Sequence, residues 1–155
     1  MTKIVEIKNL TKKYFTKKAL DNINLDIEAG KIVGILGPNG SGKTTLIKIL
    51  TGLLRQTSGE VLIDKHKIGV YTKSIVSYLP DRNFLYKWMK IEDAFQLFKD
   101  FYPDFDTEKF AELLAFMKLE MKMKIDTLSK GMMEKLNLSL VLSRNAKLYI
   151  LDEPI

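Results

Sequence analysis

Apolar and polar residues alternate in two segments near the start of the chain. Val5 and Ile7 alternate with charged neighbours, and Ile23, Leu25 and Ile27 alternate with Asn and Asp residues. A period of two places successive side chains on opposite faces of an extended segment, so that one face is apolar. The pattern therefore predicts two half-buried strands.

Shorter apolar runs predict three further strands and a helix between them. Residues 31–36 form a mostly apolar run that predicts a buried strand, and residues 60–63 and 75–79 predict two more. Pro80 ends the last of these, because proline lacks the N–H group that a strand ladder needs. Residues 45–54 have the apolar spacing of a helix.

The apolar spacing becomes helical over residues 91–144. We expect a first helix at the start of this region and a second with Asp106 or Thr107 as its N-cap. A third begins after Ser129 and runs to the end of the region. Residues 147–151 then return to a buried strand, so the predicted layout is a mixed sheet, an inserted helical block and a last strand that rejoins the sheet.

The composition is that of an ordinary globular protein. The 155 residues include no cysteine, which excludes disulfide bonds. The 25 basic and 19 acidic residues give a formal charge of +6, which a phosphate-binding role explains as well as a nucleic-acid surface does, and we expect no nucleic-acid partner. No run reaches the roughly 18 apolar residues of a membrane span. We therefore expect a chain that is soluble, or attached to a membrane through a partner.

The strongest chemical signal is the sequence Gly-Pro-Asn-Gly-Ser-Gly-Lys-Thr at residues 37–44. It matches the phosphate-binding pattern G-x-x-x-x-G-K-[ST] and lies between a predicted strand and a predicted helix. The glycines let backbone N–H groups point at phosphates, and the helix N-terminus adds the positive end of its dipole. Lys43 would reach the β- and γ-phosphates, and the Thr44 hydroxyl would ligate Mg²⁺. The predicted ATP-binding residues here are Gly37, Pro38, Asn39, Gly40, Ser41, Gly42, Lys43, Thr44 and Thr45.

A second signal is the pair of carboxylates Asp152 and Glu153 at the end of the last predicted strand. Open α/β folds bind ligands at the carboxyl ends of their strands. Asp152 is suited to ligate Mg²⁺, which prefers oxygen ligands and keeps several waters. Glu153 is suited to polarise an attacking water.

Together these motifs resemble the nucleotide-binding domain of the ATP-binding cassette (ABC) family, over the whole chain. Residues 128–132, Leu-Ser-Lys-Gly-Met, look like the LSGGQ signature of that family. The resemblance implies that Ser129, Lys130 and Gly131 face the γ-phosphate of an ATP held by an opposite subunit. That subunit is a second copy of the chain or a homologous ABC subunit, and the two form a sandwich with two ATP molecules between them.

The resemblance also assigns residues outside these motifs. Tyr14 occupies the position of the aromatic residue that stacks on adenine, with Phe15 as the alternative. Asp81 stands where the family usually has a glutamine that senses Mg²⁺, and a carboxylate can still ligate the metal. Asp81 and the variant signature resemble those of small bacterial ABC ATPases of exporters.

The fold that the resemblance implies is α/β: a P-loop NTPase (RecA-like) core with an N-terminal antiparallel β part and an inserted α-helical subdomain. Residues 1–86 and 145–155 would form the catalytic core, and residues 87–144 the helical subdomain with the signature. The last third of the family fold is not in the chain. In the family, the strand after residue 155 lies between the phosphate-loop strand and the Asp-Glu strand, so a sheet built from this chain alone would have an unfilled central slot.

The implied function is binding of MgATP and, in the full-length dimer, hydrolysis of ATP with Lys43 and Glu153 as catalytic residues. Hydrolysis would drive transport through an integral membrane transporter subunit, with this subunit peripheral at the cytoplasmic face of the membrane. The region of Trp88 and Met89 either lies near the groove for that partner or packs in the core. The alternatives are a non-transport ABC ATPase, such as a translation or DNA-handling factor, and a nucleotide-binding-only fragment. For the 155-residue chain alone we expect weak or no hydrolysis.

Overall fold

A computed structural model describes residues 1–153 in two compact units, Met1–Val76 and the residues from Ser77 onward. Pro154 and Ile155, which end the predicted Asp-Glu-Pro segment and the predicted 145–155 part of the core, lie outside the described residues. None of the helices found in residues 1–153 is both long enough and apolar enough to cross a membrane.

The first unit is built on a four-stranded antiparallel sheet. Its strands are β1 (Lys3–Tyr14), β2 (Lys17–Glu28), β3 (Ser58–Ile63) and β4 (His66–Lys67), in the spatial order β2-β1-β3-β4. In β1, Val5 and Ile7 are almost fully enclosed, and so is Leu10 beyond a shift in the register with β2. Val5 lies opposite Ile27 on one side and Ile63 on the other. The alternating pattern therefore predicted both N-terminal strands correctly. The unit also contains the helices α1 (Lys43–Leu50) and α2 (Val70–Ile75).

The strand β4 and the helix α2 were not predicted from the sequence. β3 and β4 form a tight hairpin whose turn residues, Asp64 and Lys65, both have left-handed backbone angles (φ 50° and 65°). This turn lacks the glycine that usually announces such a hairpin. α2 follows at once, and its short polar sequence gives little amphipathic signal.

The predicted strand at residues 31–36 is wrong for the structure. The segment has no strand assignment, and Ile32 and Leu36 are almost fully exposed. A strand needs a neighbour that takes up its N–H and C=O groups, and among residues 1–153 no segment pairs with this one. The single mixed sheet is therefore also wrong: the strands form two separate sheets.

The second sheet consists of β5 (Val76–Leu79) and β6 (Leu148–Leu151). The N–H of Asp152 donates to the carbonyl of Leu79 at 2.9 Å. Since Leu79 ends β5 and Asp152 directly follows β6, the carboxyl ends of the two strands meet. The expected placement of the Asp-Glu pair at this end of a sheet is confirmed for Asp152.

A helical block lies between these strands and encloses its own core. Its elements are α3 (Ile91–Phe101), α4 (Thr107–Phe116), a 3-10 turn (Ile125–Thr127) and α5 (Lys130–Leu142). The Asp106 side chain accepts from the N–H of Lys109 at 3.0 Å, so Asp106 is the N-cap of α4 as predicted. Phe95, Phe98, Phe105 and Phe110 make mutual ring contacts at centroid distances of 5.4–5.9 Å. Those contacts fill the centre of the block.

Candidate nucleotide site

The glycine loop ends where α1 begins. Gly40 and Gly42 have left-handed φ angles of 80° and 97°, which glycine adopts without the steric cost of a Cβ. The N–H of Ser41 donates to the carbonyl of Pro38 at 3.2 Å, and the first helical bond runs from the N–H of Leu46 to the carbonyl of Gly42 at 2.9 Å. No side chain caps α1 and its first turn has no acidic residue. The N–H groups of the first turn are therefore available to an anion.

Gly42 also holds the loop against the β1–β2 hairpin. A Cβ on Gly42 would lie 2.5 Å from the carbonyl oxygen of Ala19 and 2.9 Å from a methyl carbon of Leu20. Only glycine allows this approach of the loop to β2. The hairpin and the loop are thus fixed to each other by backbone contact, which positions the start of α1.

Lys43 bends back over the loop that precedes it. Its ammonium donates to the carbonyl of Pro38 at 3.0 Å and also to the carbonyl of Gly37. The cation is thereby placed beside the N–H groups of the α1 first turn. Thr44 and Thr45 occupy that first turn, with Thr44 exposed. A phosphate fits this combination of an ammonium, free helix N–H groups and a glycine-rich loop.

Tyr14 lies at the turn end of the β1–β2 hairpin. It ends β1 opposite Lys17, and its ring is 45% exposed with the Lys12 ammonium 5.2 Å from the ring centroid. Phe15 has a left-handed φ of 52° and its side chain is fully exposed. Because Ala19, which contacts the glycine loop, follows only two residues after Lys17, both aromatic rings belong to the hairpin end that adjoins the loop.

In the second unit, Asp152 and Asp81 lie around Tyr78. Asp152 is 5% exposed, whereas Asp81 and Glu153 are exposed. Burial, and then the negative charges of Asp152 and Asp81, raise the pKa of the Tyr78 hydroxyl above its ordinary value of 10.0. Both carboxylates are therefore close enough to act on one phenol. Glu153 has a left-handed φ of 47°.

The signature residues open α5. Ser129 is the N-cap and accepts from the N–H of Met132 at 3.2 Å. The ammonium of Lys130 lies 3.9 Å from a carboxylate oxygen of Glu134, one helical turn on, and this Lys130 side chain is almost fully exposed. A Cβ on Gly131 would meet no atom within 4 Å outside its own helix backbone. Nothing in the described chain requires glycine at this position.

Sequence reasoning missed the link between the loop after β5 and α5. The side chain of Asn83 bonds to the backbone of Leu85 in both directions, and the amide of Asn137 on α5 donates to Asn83 Oδ1 at 3.4 Å. Asn137 is buried. The available signal was Asn137 itself, a polar residue at a helix position where the apolar stripe would favour an apolar one.

His66, Trp88 and Met89 lie outside these motifs. His66 is exposed and belongs to β4. Met89 packs in the core, whereas Trp88 is 73% exposed. Within residues 1–153, no three His, Cys, Asp or Glu side chains form a group that could hold a metal.

The glycine loop and the helix that it opens define a phosphate-binding α/β fold of the P-loop NTPase class. A family model described as ABC transporter matches residues 20–155, so the chain belongs to the ABC transporter family. The chain is 32% identical over its whole length to an uncharacterized ABC transporter ATP-binding protein, YcbN, of Bacillus subtilis, and covers 52% of it.

Other relatives carry more specific names. The chain is 35% identical to the zinc import ATP-binding protein ZnuC of Rickettsia bellii, over 98% of the chain and 63% of that protein. A solved structure of a putative ABC transporter ATP-binding protein from Pyrococcus furiosus matches with a TM-score of 0.85 and 30% identity, over 97% of this chain and 76% of that one. The chain thus spans about half to two thirds of the length of these curated relatives.

Proposed function

We propose that the chain binds ATP at residues 37–45 and works as the ATP-binding subunit of a membrane transporter. The observation that carries the proposal is the junction of the glycine loop with α1, where Gly42 contacts β2 and Lys43 lies over the loop. The names of the relatives, which are ATP-binding proteins of transporters, support the same function.

In this proposal the triphosphate lies along the loop and its charge is met by the Lys43 ammonium and the first N–H groups of α1. Tyr14 stacks on the adenine, because its ring is exposed at the hairpin end that adjoins the loop. Thr44, Asp152 and Asp81 would hold Mg²⁺ in the assembled protein. The ion would neutralise charge on the β- and γ-phosphate oxygens.

For hydrolysis, Glu153 orients a water and accepts its proton, since it is an exposed carboxylate one residue beyond the buried Asp152. A second copy or a homologous subunit completes the site with Ser129, Lys130 and Gly131. The open space at Gly131 supports this role, because the position gains nothing from glycine within its own chain. A backbone without a Cβ allows a phosphate to approach closely.

The membrane subunit would dock on a groove in the second unit. A cavity of about 380 Å³ lies there, and its lining is mostly apolar and includes Pro80, Phe84, Phe101 and Tyr102. Phe101 is 73% exposed at its rim. An exposed aromatic beside an apolar cavity is typical of a helix-in-groove contact. Residues 77–84 line one part of the groove, and the helical subdomain, which would span residues 87–144, lines the rest. The docked protein would lie at the cytoplasmic face of the membrane.

The catalytic part is tested by ATP turnover of the product of the complete reading frame. General-base catalysis contributes roughly 10²- to 10⁴-fold, so Glu153→Gln should lower turnover by at least that range while ATP still binds. Glu108→Gln, an exposed glutamate of α4, is the matched control and should leave turnover unchanged. Equal turnover in Glu153→Gln and the wild type would refute the role of Glu153.

The docking part is tested by membrane association in cells that express the whole transporter. Phe101→Glu should release the protein from the membrane fraction. Phe116→Glu removes an equally exposed phenylalanine outside the groove and should not. If both variants or neither detach, the groove is not the docking site. A wild-type protein that is absent from the membrane fraction would favour a non-transport ATPase.

A further inference from the structure

A polar cavity lies in the first unit, and its residues are separate in sequence from the glycine loop. Its volume is about 560 Å³, within the usual range for small-ligand sites. It is formed by the residues after α1, by β3 and by the segment from β4 into α2, and no residue of the loop 37–45 lines it. No role is assigned to it by the ATP site.

The cavity is positively charged. Arg55, Lys67 and Lys73 line it together with a single acid, Glu60. Within residues 1–153, the side chains of the three basic residues make no ion pair and no hydrogen bond. Three cations around one cavity repel each other, and neither Glu60 nor another carboxylate pairs with them.

One of these cations is positioned by packing. Gly52 follows α1 with a left-handed φ of 74°, and a Cβ there would lie 2.6 Å from Cε of Lys73 and 3.1 Å from a methyl carbon of Ile68. The absence of a side chain at Gly52 thus admits the Lys73 stem. The stem packs on the glycine, and Lys73, which is exposed, lies at the wall of the cavity.

We propose that this cavity binds the phosphate group of a phosphorylated molecule, at a site separate from the ATP loop. A phosphate carries up to two negative charges and several acceptor oxygens, which matches three donors with a net local charge of about +2. A carboxylate offers one charge and two oxygens, and would leave one cation without a partner. The shared chemistry covers a free phosphorylated metabolite and a phospholipid headgroup.

The test is a titration of the full 155-residue chain with inorganic pyrophosphate, followed by ¹H–¹⁵N NMR. The amides of Gly52, Gly59 and Gly69 line the cavity and report on it separately from the loop glycines. We expect their shifts to saturate at millimolar ligand or below, and Lys43→Ala to leave this saturation intact. Absence of saturable shifts at these glycines up to about 10 mM, an affinity weaker than about 3 kcal/mol, would overturn the proposal.

The double variant Lys67→Ala/Lys73→Ala should weaken the binding at least tenfold. Lys17→Ala/Lys31→Ala removes the same charge from exposed positions outside the cavity and is the matched control. Equal weakening in both variants would show general electrostatic attraction and would overturn the site. Because the readout is residue-specific, a negative result at the cavity does not affect the proposal that ATP binds at the loop. A negative result at the loop likewise does not affect the proposal for the cavity.

A second experiment with lipid vesicles distinguishes a phospholipid headgroup from a free phosphorylated molecule. Vesicles of phosphatidylglycerol that shift the same glycines, in competition with pyrophosphate, would assign a lipid headgroup. Pyrophosphate binding without any response to those vesicles would assign a free phosphorylated molecule. Vesicles of phosphatidylcholine, which have no net charge, should have no effect, and an equal response to them would contradict recognition of an anionic phosphate.

Discussion

Gly42→Ala should destabilise the protein and weaken nucleotide binding together. The alanine would have to adopt a φ of 97°, which costs about 1–2 kcal/mol for a residue with a Cβ. Its Cβ would also lie 2.5 Å from the carbonyl oxygen of Ala19, and relief of such overpacking costs about 1–3 kcal/mol. The expected loss is therefore about 2–5 kcal/mol, a large part of the roughly 5–15 kcal/mol that stabilises a typical domain.

The assay is urea unfolding followed by circular dichroism, with Gly131→Ala as the control. That alanine meets no atom within 4 Å and needs no left-handed angle, and alanine favours a helix over glycine by up to about 1 kcal/mol. We expect Gly131→Ala to unfold at the wild-type urea concentration or slightly above it. If Gly42→Ala unfolds at the same midpoint as Gly131→Ala, the backbone contact between the loop and β2 does not constrain the loop.

Three further outcomes are expected. Asp106→Ala should lower the unfolding free energy by about 1 kcal/mol, because it removes the N-cap of α4, and an unchanged urea midpoint would contradict the cap. Ile32→Lys should change the stability of the 155-residue chain by less than about 0.5 kcal/mol, because the Ile32 side chain is fully exposed. It should also reduce self-association of the chain, measured by sedimentation. A clear loss of stability would mean that the segment is packed. The pKa of Tyr78 is raised in the folded protein, so its contribution to stability is fully present below the ordinary tyrosine pKa and is lost as the pH rises through the higher folded value. Asp152→Asn should lower the pKa of Tyr78 in an ultraviolet titration. An unchanged titration would show that Asp152 does not act on Tyr78.

Elements with local causes could be predicted from the sequence. The alternation around Val5 and Ile7 needs only one buried face, and the sheet supplies it. Asp106 and Ser129 cap helices through bonds within three residues of themselves, so the signal and its partner lie in the same short segment. The glycine loop was found for the same reason, because its angles and its helix are consecutive in sequence.

Elements with distant causes could not be predicted in this way. Residues 31–36 have the composition of a buried strand, yet strand formation depends on a neighbour, and none pairs with them among residues 1–153. The Asn83–Asn137 bond joins residues far apart in sequence, and a polar residue at position 137 does not by itself identify its partner. The closeness of Gly42 to Ala19 is likewise a tertiary contact, and the motif gave no reason to expect it.

The central claim, that residues 37–45 bind the phosphates of ATP, is tested most directly by calorimetric titration of the chain with MgATP. Lys43→Ala removes the ammonium that lies over the loop, and charged hydrogen bonds of this kind contribute about 1.5–3 kcal/mol each, so affinity should fall at least tenfold. Lys48→Ala, an exposed lysine of the same helix, should bind as the wild type does. Equal affinity in the wild type and Lys43→Ala would contradict the claim.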